Sequence, residues 1–156
     1  MIEGGAVMAT LHQSIEIDVP VRVAYNQWRQ FEEFPNFMEN IEEVRQLDDK
    51  HLHWRAALGG KDKEWDTEIT EQVPDRRIAW RTVQGSQNHG VVNFEPLADD
   101  RTRVTVDVEY QPEGVMEKVG DMLGMVSSNI EDDLENFKEF IESQGGETGA
   151  WRGEIH

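Results

Sequence analysis

Between Val115 and Ile141 the apolar residues Val115, Met116, Val119, Met122, Leu123, Val126, Ile130, Leu134, Phe137, Phe140 and Ile141 recur mostly at steps of three and four. That is the period of a helix with one apolar side. The other side is charged, from Glu117 and Lys118 through Asp132 and Glu135 to Glu142. Pro112 and Gly114 separate the segment from what precedes it, and Gly145-Gly146 ends it. An apolar stripe of this length must be covered, and most of the remaining chain reads as strand. The cover expected is therefore a curved antiparallel sheet wrapped around the helix.

Alternation carries the strand reading. Leu11 to Val19 alternates Ile15, Ile17 and Val19 with Ser14, Glu16 and Asp18. Pro20 breaks it and suits the first turn of a short helix, Val21 to Gln30. Phe31, Phe34, Phe37 and Met38 crowd a second short helical piece around Pro35. Six strands follow from Ile41 to Tyr110, parted by Asp48-Asp49-Lys50, Gly59-Gly60, Pro74-Asp75, Gly85 to Asn88 and Pro96 to Asp100. Connections this short make an antiparallel meander, with the first strand added at its edge. One face of each strand is apolar: Leu52, Trp54, Ala56; Trp65, Thr67, Ile69; Ile78, Trp80, Thr82; Gly90, Val92, Phe94; Val104, Val106, Val108, Tyr110. The expected fold is α+β: a seven-stranded curved sheet, two short helices after the first strand, and a long C-terminal helix. One domain spans 11–143, with 1–10 and 144–156 as flexible ends, although Trp151 and Ile155 are apolar enough to dock.

Composition narrows function. The 15 basic and 32 acidic residues give a formal charge of −17, a field that repels a phosphate backbone and excludes nucleic acid as the expected partner. With no cysteine, thiolate chemistry and cysteine metal sites are ruled out. No run approaches the roughly 20 apolar residues of a membrane span, and 1–10 lacks the pattern of a signal peptide. A cytoplasmic protein without stable membrane insertion is expected. No nucleophile elbow, phosphate loop or dinucleotide fingerprint is present. His51 and His53 lie beside a turn on the wet face, without a third ligand in local spacing, and read as surface residues rather than a metal site. Glu64, Asp66 and Glu68 read as a solvated strand face opposite Arg77 and Arg81. Tyr25, Tyr110, Asn93 and Ser127 are candidate acid/base donors without a specific signature.

The aromatic load is heavy. Trp28, Trp54, Trp65 and Trp80 fall on faces expected to be buried, with Phe34, Phe37, Phe94 and Tyr110. The interior of a strongly curved sheet is hard to fill from one helix, so these rings serve either as core or as the wall of an apolar pocket. Gly120, Gly124 and Ser127 cluster on one side of the long helix. Glycine inside a helix costs roughly 1 kcal/mol against alanine, which points to close packing or to room for a ligand.

Several stretches resemble a known family: Ser14 to Pro20; Tyr25 with Gln27-Trp28; Phe31 to Met38; Trp54; Glu64-Trp65; Ile69 to Glu71; Pro74; Ile78 to Trp80; Gly90 with Phe94; Thr102 to Val106; Tyr110 with Pro112; and Asp133-Leu134 with Phe137-Lys138. Together they resemble the START-like helix-grip proteins, which include the plant Bet v 1 type, and more closely the bacterial polyketide cyclase/dehydrase and lipid-transport family, related to the coenzyme Q-binding proteins. The resemblance implies a deep apolar cavity between sheet and long helix, with a mouth flanked by Phe34 to Met38 and by the first half of the long helix. Its members bind lipids, quinones, sterols or polyketides, and some cyclise or dehydrate polyketide chains. The expected ligand contacts are Trp28, Phe34, Phe37, Met38, Trp54, Trp65, Trp80, Phe94, Tyr110, Gly120, Leu123, Gly124 and Ser127, with no cofactor and no catalytic residue assigned. On this reading the chain is a carrier of a hydrophobic small molecule rather than an enzyme. The alternatives are a cyclase/dehydratase acting on an aromatic or polyketide substrate, and a homodimeric interaction protein with a filled core.

Overall fold

The structure is a computed structural model. It describes the backbone of residues 9–38, 40–58, 61–84, 88–110, 119–144 and 155, and the side chains of all of these except 9, 58, 61, 63, 84, 88, 110, 119–129 and 144. The chain runs β1 (Ala9–Ile17), α1 (Val21–Trp28), a 3-10 turn (Phe31–Asn36), β2 (Ile41–Gln46), β3 (His51–Leu58), β4 (Lys61–Val73), β5 (Arg77–Gln84), β6 (Asn88–Ala98), β7 (Arg101–Tyr110) and α2 (Val119–Gln144). The expected order of elements is met. All strands form one antiparallel sheet in the order β1-β7-β6-β5-β4-β3-β2. β1 returns to pair with β7, as expected from the sequence. The result is a helix-grip fold, a curved sheet held around a long C-terminal helix.

Local chemistry explains the boundaries. Pro20 stands just outside α1 in extended conformation, not in its first turn, and its carbonyl accepts from Val23 and Ala24 at 3.0 and 3.1 Å. The β4–β5 turn has Pro74 at its second position and Asp75 at its third with φ 64°. Arg76 N–H donates to the Val73 carbonyl at 3.0 Å, so this is a turn of the type that normally favours glycine at the Asp75 position. α2 continues to Gln144, three residues beyond the apolar periodicity. Its expected start at 115–118 lies outside the described residues.

The alternation on the strands sorts residues as expected. Leu52, Ala56, Ile69, Ile78, Val92, Val104 and Val106 are buried beneath α2, whose Leu134, Phe137 and Ile141 are 0–2% exposed. The end of β1 is tied to α2 by polar contacts. Lys138 Nζ donates to the Glu16 carbonyl at 3.2 Å and to Glu142 at 2.7 Å, and Glu142 accepts from the Asp18 amide at 3.0 Å. These donors hold the Glu142 carboxyl below its ordinary value, Lys138 first. The tail also docks. β3 ends its pairing with β4 at Glu68, and further along β4 the main chain of Gln72 exchanges hydrogen bonds with Ile155 at 2.8 and 3.0 Å. Ile155 is thereby buried in the core, while Trp151 lies outside the described residues. Among the described residues no helix is long and apolar enough to cross a membrane.

Candidate functional site

The inner face of the sheet has two unlike regions. In one, α1 and the 3-10 turn close over β6 and the C-terminal half of α2, and the space is filled by rings. Trp28 meets Phe137 edge-on at 5.0 Å between centroids, Phe34 at 5.4 Å and Phe94 at 6.4 Å. Phe37 lies 5.4 Å from Phe34 and 5.3 Å from both Phe137 and Phe140. Tyr25 packs edge-on against Phe94 at 5.5 Å. Edge-to-face contact suits the ring quadrupole. Of the residues expected to line a hollow, Trp28, Phe34, Phe37, Met38 and Phe94 are only 3–8% exposed. These five form packed core. The apolar volume here is taken up because α1 and the 3-10 turn contribute four aromatic side chains, Tyr25, Trp28, Phe31 and Phe34, and Phe37 follows the turn; together they reinforce the helix in filling the sheet.

A buried cation lies in the same region. Arg29 is 2% exposed; its Nε donates to Gln72 Oε1 at 2.7 Å and its Nη1 to Gln46 Oε1 at 3.2 Å. Its guanidinium stacks 4.9 Å from the centre of Phe31. Burial pushes its pKa down, against the opposing pull of Tyr25 and Asp49. The sequence reading missed this group. Its one signal was the glutamines at positions 46 and 72, polar side chains among strand residues of a buried sheet.

Beside this packed cluster the sheet presents three tryptophans that are only half-buried, Trp54, Trp65 and Trp80; Trp54 meets Phe34 of the cluster at 5.7 Å between centroids, and Trp54 and Trp80 pack against the core. Trp54 and Trp65 are cross-strand partners on β3 and β4, and their indoles are parallel within 4° with centroids 5.9 Å apart. The Trp54 indole N–H donates to the hydroxyl of Thr67 at 2.8 Å, which fixes the ring and satisfies its donor within the wall. Trp80 on β5 pairs with Gly90 on β6, and Gly90 with Val108 on β7. A side chain at Gly90 would begin 2.6 and 2.7 Å from the six-membered ring of Trp80. Gly90 therefore lets that indole lie flat across the next strand. These half-buried indole surfaces on β3, β4 and β5 make an aromatic wall on the inner face, with Trp54 and Trp65 as a stacked pair and Trp80 in register with Ile69 and Gly90.

The remaining candidates are placed as follows. The backbone of Tyr110 pairs with Ala9 and Asn88, but its side chain lies outside the described residues. So do the side chains of Gly120, Leu123, Gly124 and Ser127, which belong to the first half of α2. Asn93 alternates with the buried Val92 and Phe94 and is in register with Arg77 and Thr105; it belongs to the outer face and drops out as a donor. Tyr25 is fully buried among rings.

The outer face is a lattice of opposite charges. His53 bonds Asp66 at 2.5 Å and Glu64 at 2.9 Å. His51 meets Asp48 at 2.9 Å, His89 meets Glu109 at 2.6 Å, and His12 contacts Asp107. Arg81 pairs with Glu68 at 2.7 Å, as expected, whereas Arg77 pairs with Glu71 at 3.2 Å.

Similarity to known proteins agrees with this architecture. Residues 17–139 match the model of a family described as polyketide cyclase / dehydrase and lipid transport. An uncharacterised 17.2 kDa protein of Streptomyces lincolnensis is 50% identical over 149 residues, covering 95% of this chain and 99% of its own. A START superfamily protein from Mycobacterium smegmatis superposes with a TM-score of 0.77 at 14% identity, covering 86% of this chain and 98% of its own. The Zhui aromatase/cyclase from Streptomyces sp. R1128 gives a TM-score of 0.76 at 13% identity, over 93% of this chain and 100% of its own. These matches correct one expectation, that the chain is a carrier rather than an enzyme. The family's description names cyclases and dehydrases beside lipid transport, and an aromatase/cyclase is among the proteins with this fold.

Proposed function

The chain belongs to the polyketide cyclase / dehydrase and lipid transport family, and from that premise we propose that it is a cyclase/dehydratase-type enzyme. Its substrate is an apolar, ketone-bearing chain or the aromatic ring system formed from it. The observation that carries the reading is the aromatic wall of Trp54, Trp65 and Trp80, left half-buried on the inner face of the sheet beside the solidly packed ring cluster that Trp54 touches through Phe34. Flat faces of this kind stack on conjugated ketones and rings and bury their surface.

Cyclisation joins an enolic carbon to a ketone carbon further along the same chain. The ketone oxygen takes up the proton released by the attacking carbon. Loss of that hydroxyl with a neighbouring hydrogen, as water, leaves the unsaturated ring. A wall of fixed indoles contributes by holding one folded conformer, with the two carbons within reach, and by excluding water. Thr67 acts as a positioning residue, since it anchors the Trp54 indole. Tyr110, two residues past the Val108 that pairs with Gly90, is the first phenol to test as proton donor.

The test is incubation with a soluble poly-β-ketone thioester, with products followed by mass and ultraviolet spectrum. Loss of water and one dominant ring product are expected with the native protein. Trp54→Ala and Trp80→Ala should keep the fold and lose that selectivity, and Tyr110→Phe should slow turnover while leaving binding unchanged. A product mixture identical to that formed without protein, alongside tight binding of the thioester, would replace the enzyme by a binding protein for the same ligand class.

A further inference from the structure

α2 turns two adjacent stripes toward the body of the protein. Leu134, Phe137 and Ile141 are buried. Beside them Asn136 and Phe140 are half-covered, and Glu139 and Ser143 are exposed. Pro35, Asn36 and Phe37 stand opposite, and a groove of about 390 Å³ runs between the two sides. That lies within the range of roughly 300–1,000 Å³ usual for small-molecule sites.

The groove is not the mouth of the inner space. Its floor is Phe37, 5% exposed, with Phe34 and Phe137 packed behind it at 5.4 and 5.3 Å. The tryptophan wall lies on β3, β4 and β5, behind Phe34, whose ring separates Phe37 from Trp54 and meets the latter at 5.7 Å; no tryptophan lines the groove, so this is a second place with its own chemistry. Phe37 and Phe140 set two rings 5.3 Å apart and tilted by 40°. Two carboxamides, a hydroxyl and the Glu139 carboxylate form the rim, and among the described residues no lysine, arginine or histidine lines it. Lys138, next to Glu139 in sequence, is engaged by the Glu16 carbonyl and by Glu142. The preceding turns of α2 carry Glu131, Asp132, Asp133 and Glu135, outside the lining, and the chain as a whole has a formal charge of −17.

We infer that this groove is a binding site for a compact organic cation with an apolar body, an alkyl- or arylammonium ion. The charged nitrogen faces Glu139 beside the half-covered ring of Phe140, and the apolar part lies along Pro35 and Phe37. The carboxylate and the Phe140 ring attract such a cation together, whereas an anion of the same shape meets Glu139 with no counter-charge among the described lining residues.

A matched pair of probes tests this: benzyltrimethylammonium and benzenesulfonate, titrated into isotope-labelled protein at moderate salt and followed by amide and indole shifts. Saturable shifts at Asn36, Asn136 and Ser143 are expected with the cation and none with the sulfonate. Ser143→Lys, at an exposed position, and Glu139→Gln each change the rim by one unit charge and should each weaken binding roughly fivefold. Phe140→Leu should weaken it roughly two- to fivefold. Equal binding of both probes, wild-type affinity in Ser143→Lys, shifts centred on the Trp54 and Trp65 indoles, or unsaturable shifts scattered over the acidic strand faces would each overturn the assignment. The site is separate from the tryptophan wall, so its failure would leave the proposed function untouched.

Discussion

Replacing Gly90 by alanine tests whether the tryptophan wall is built as described. In an ordinary strand the change should help, because glycine is about 0.5–1 kcal/mol worse than alanine inside regular structure. Here the new methyl carbon would sit 2.6 and 2.7 Å from Cζ2 and Cη2 of Trp80 and 2.8 Å from the Asp107 carbonyl oxygen. Carbon atoms rest at about 3.5–4.0 Å, so the indole must retreat by roughly 1 Å. The Asp107 oxygen has less freedom, because β7 is paired on both sides, with β1 and β6. Overpacking of this kind costs about 1–3 kcal/mol. For a chain of this size that is a fall in melting temperature of roughly 2–12 °C.

Urea denaturation measures the cost, and near-ultraviolet circular dichroism reports the displaced indole. The decisive version is a double-mutant cycle with Trp80→Ala. If the ring is the obstacle, alanine at position 90 should cost at least about 1 kcal/mol less in the Trp80→Ala background than in the native one. The residual penalty there belongs to Asp107. A Gly90→Ala protein within about 0.5 kcal/mol of native and with an unchanged spectrum would refute the reasoning. So would an equal penalty in both backgrounds, which would move the cause from the ring to the backbone.

Two further outcomes follow from the packed end and the outer face. Phe137→Ala removes a fully buried ring that contacts Trp28 and Phe37, and it should lower the unfolding free energy by about 3–5 kcal/mol; a loss under about 1 kcal/mol would mean that this end is not close-packed. His53 has its pKa raised, first by the hydrogen bond to Asp66 and then by that to Glu64. Its contribution is complete below the unfolded value of about 6.5 and disappears as pH rises through the folded value. The stability gap between native protein and His53→Gln should therefore be widest near pH 5.5 and close toward pH 8.5, which melting curves across that range would reveal; a gap that widens with pH would invert the assignment.

The strands and their inward faces are legible in the sequence because burial on one side imposes a period of two. Trp54 and Trp65 could be placed on one face from alternation alone. Which rings become core is not legible, since it depends on contacts between segments far apart in the chain. Trp28 and Phe37 read as pocket wall until Phe137 and Phe140 of α2 are seen against them. Arg29 shows the same limit. Its charge argues for the surface, and only the side chains of Gln46 and Gln72, 17 and 43 residues away, make its burial tolerable. Gly90 lies between these cases: a glycine within a strand signals close approach, but the sequence does not say that the visitor is Trp80.

On the proposed function, the packed ring cluster serves stability and the neighbouring tryptophan wall serves the substrate. At the packed end α2 is held by Leu134, Phe137 and Ile141 and by the Lys138–Glu142 pair on β1. Ile155 and the buried Arg29 network close that end over β4. Cooperative units with many buried contacts open last, and regions with fewer open first. If the proposed function holds, half-buried indoles can admit and release a substrate without the whole chain unfolding. On this account substitutions at Phe137 should act chiefly through stability, whereas those at Trp54 or Trp80, which also touch the core, should change selectivity by more than their smaller stability loss accounts for. If Trp54→Ala and Phe137→Ala were equally destabilising, the division would fail, and the tryptophans would have to be regarded as core.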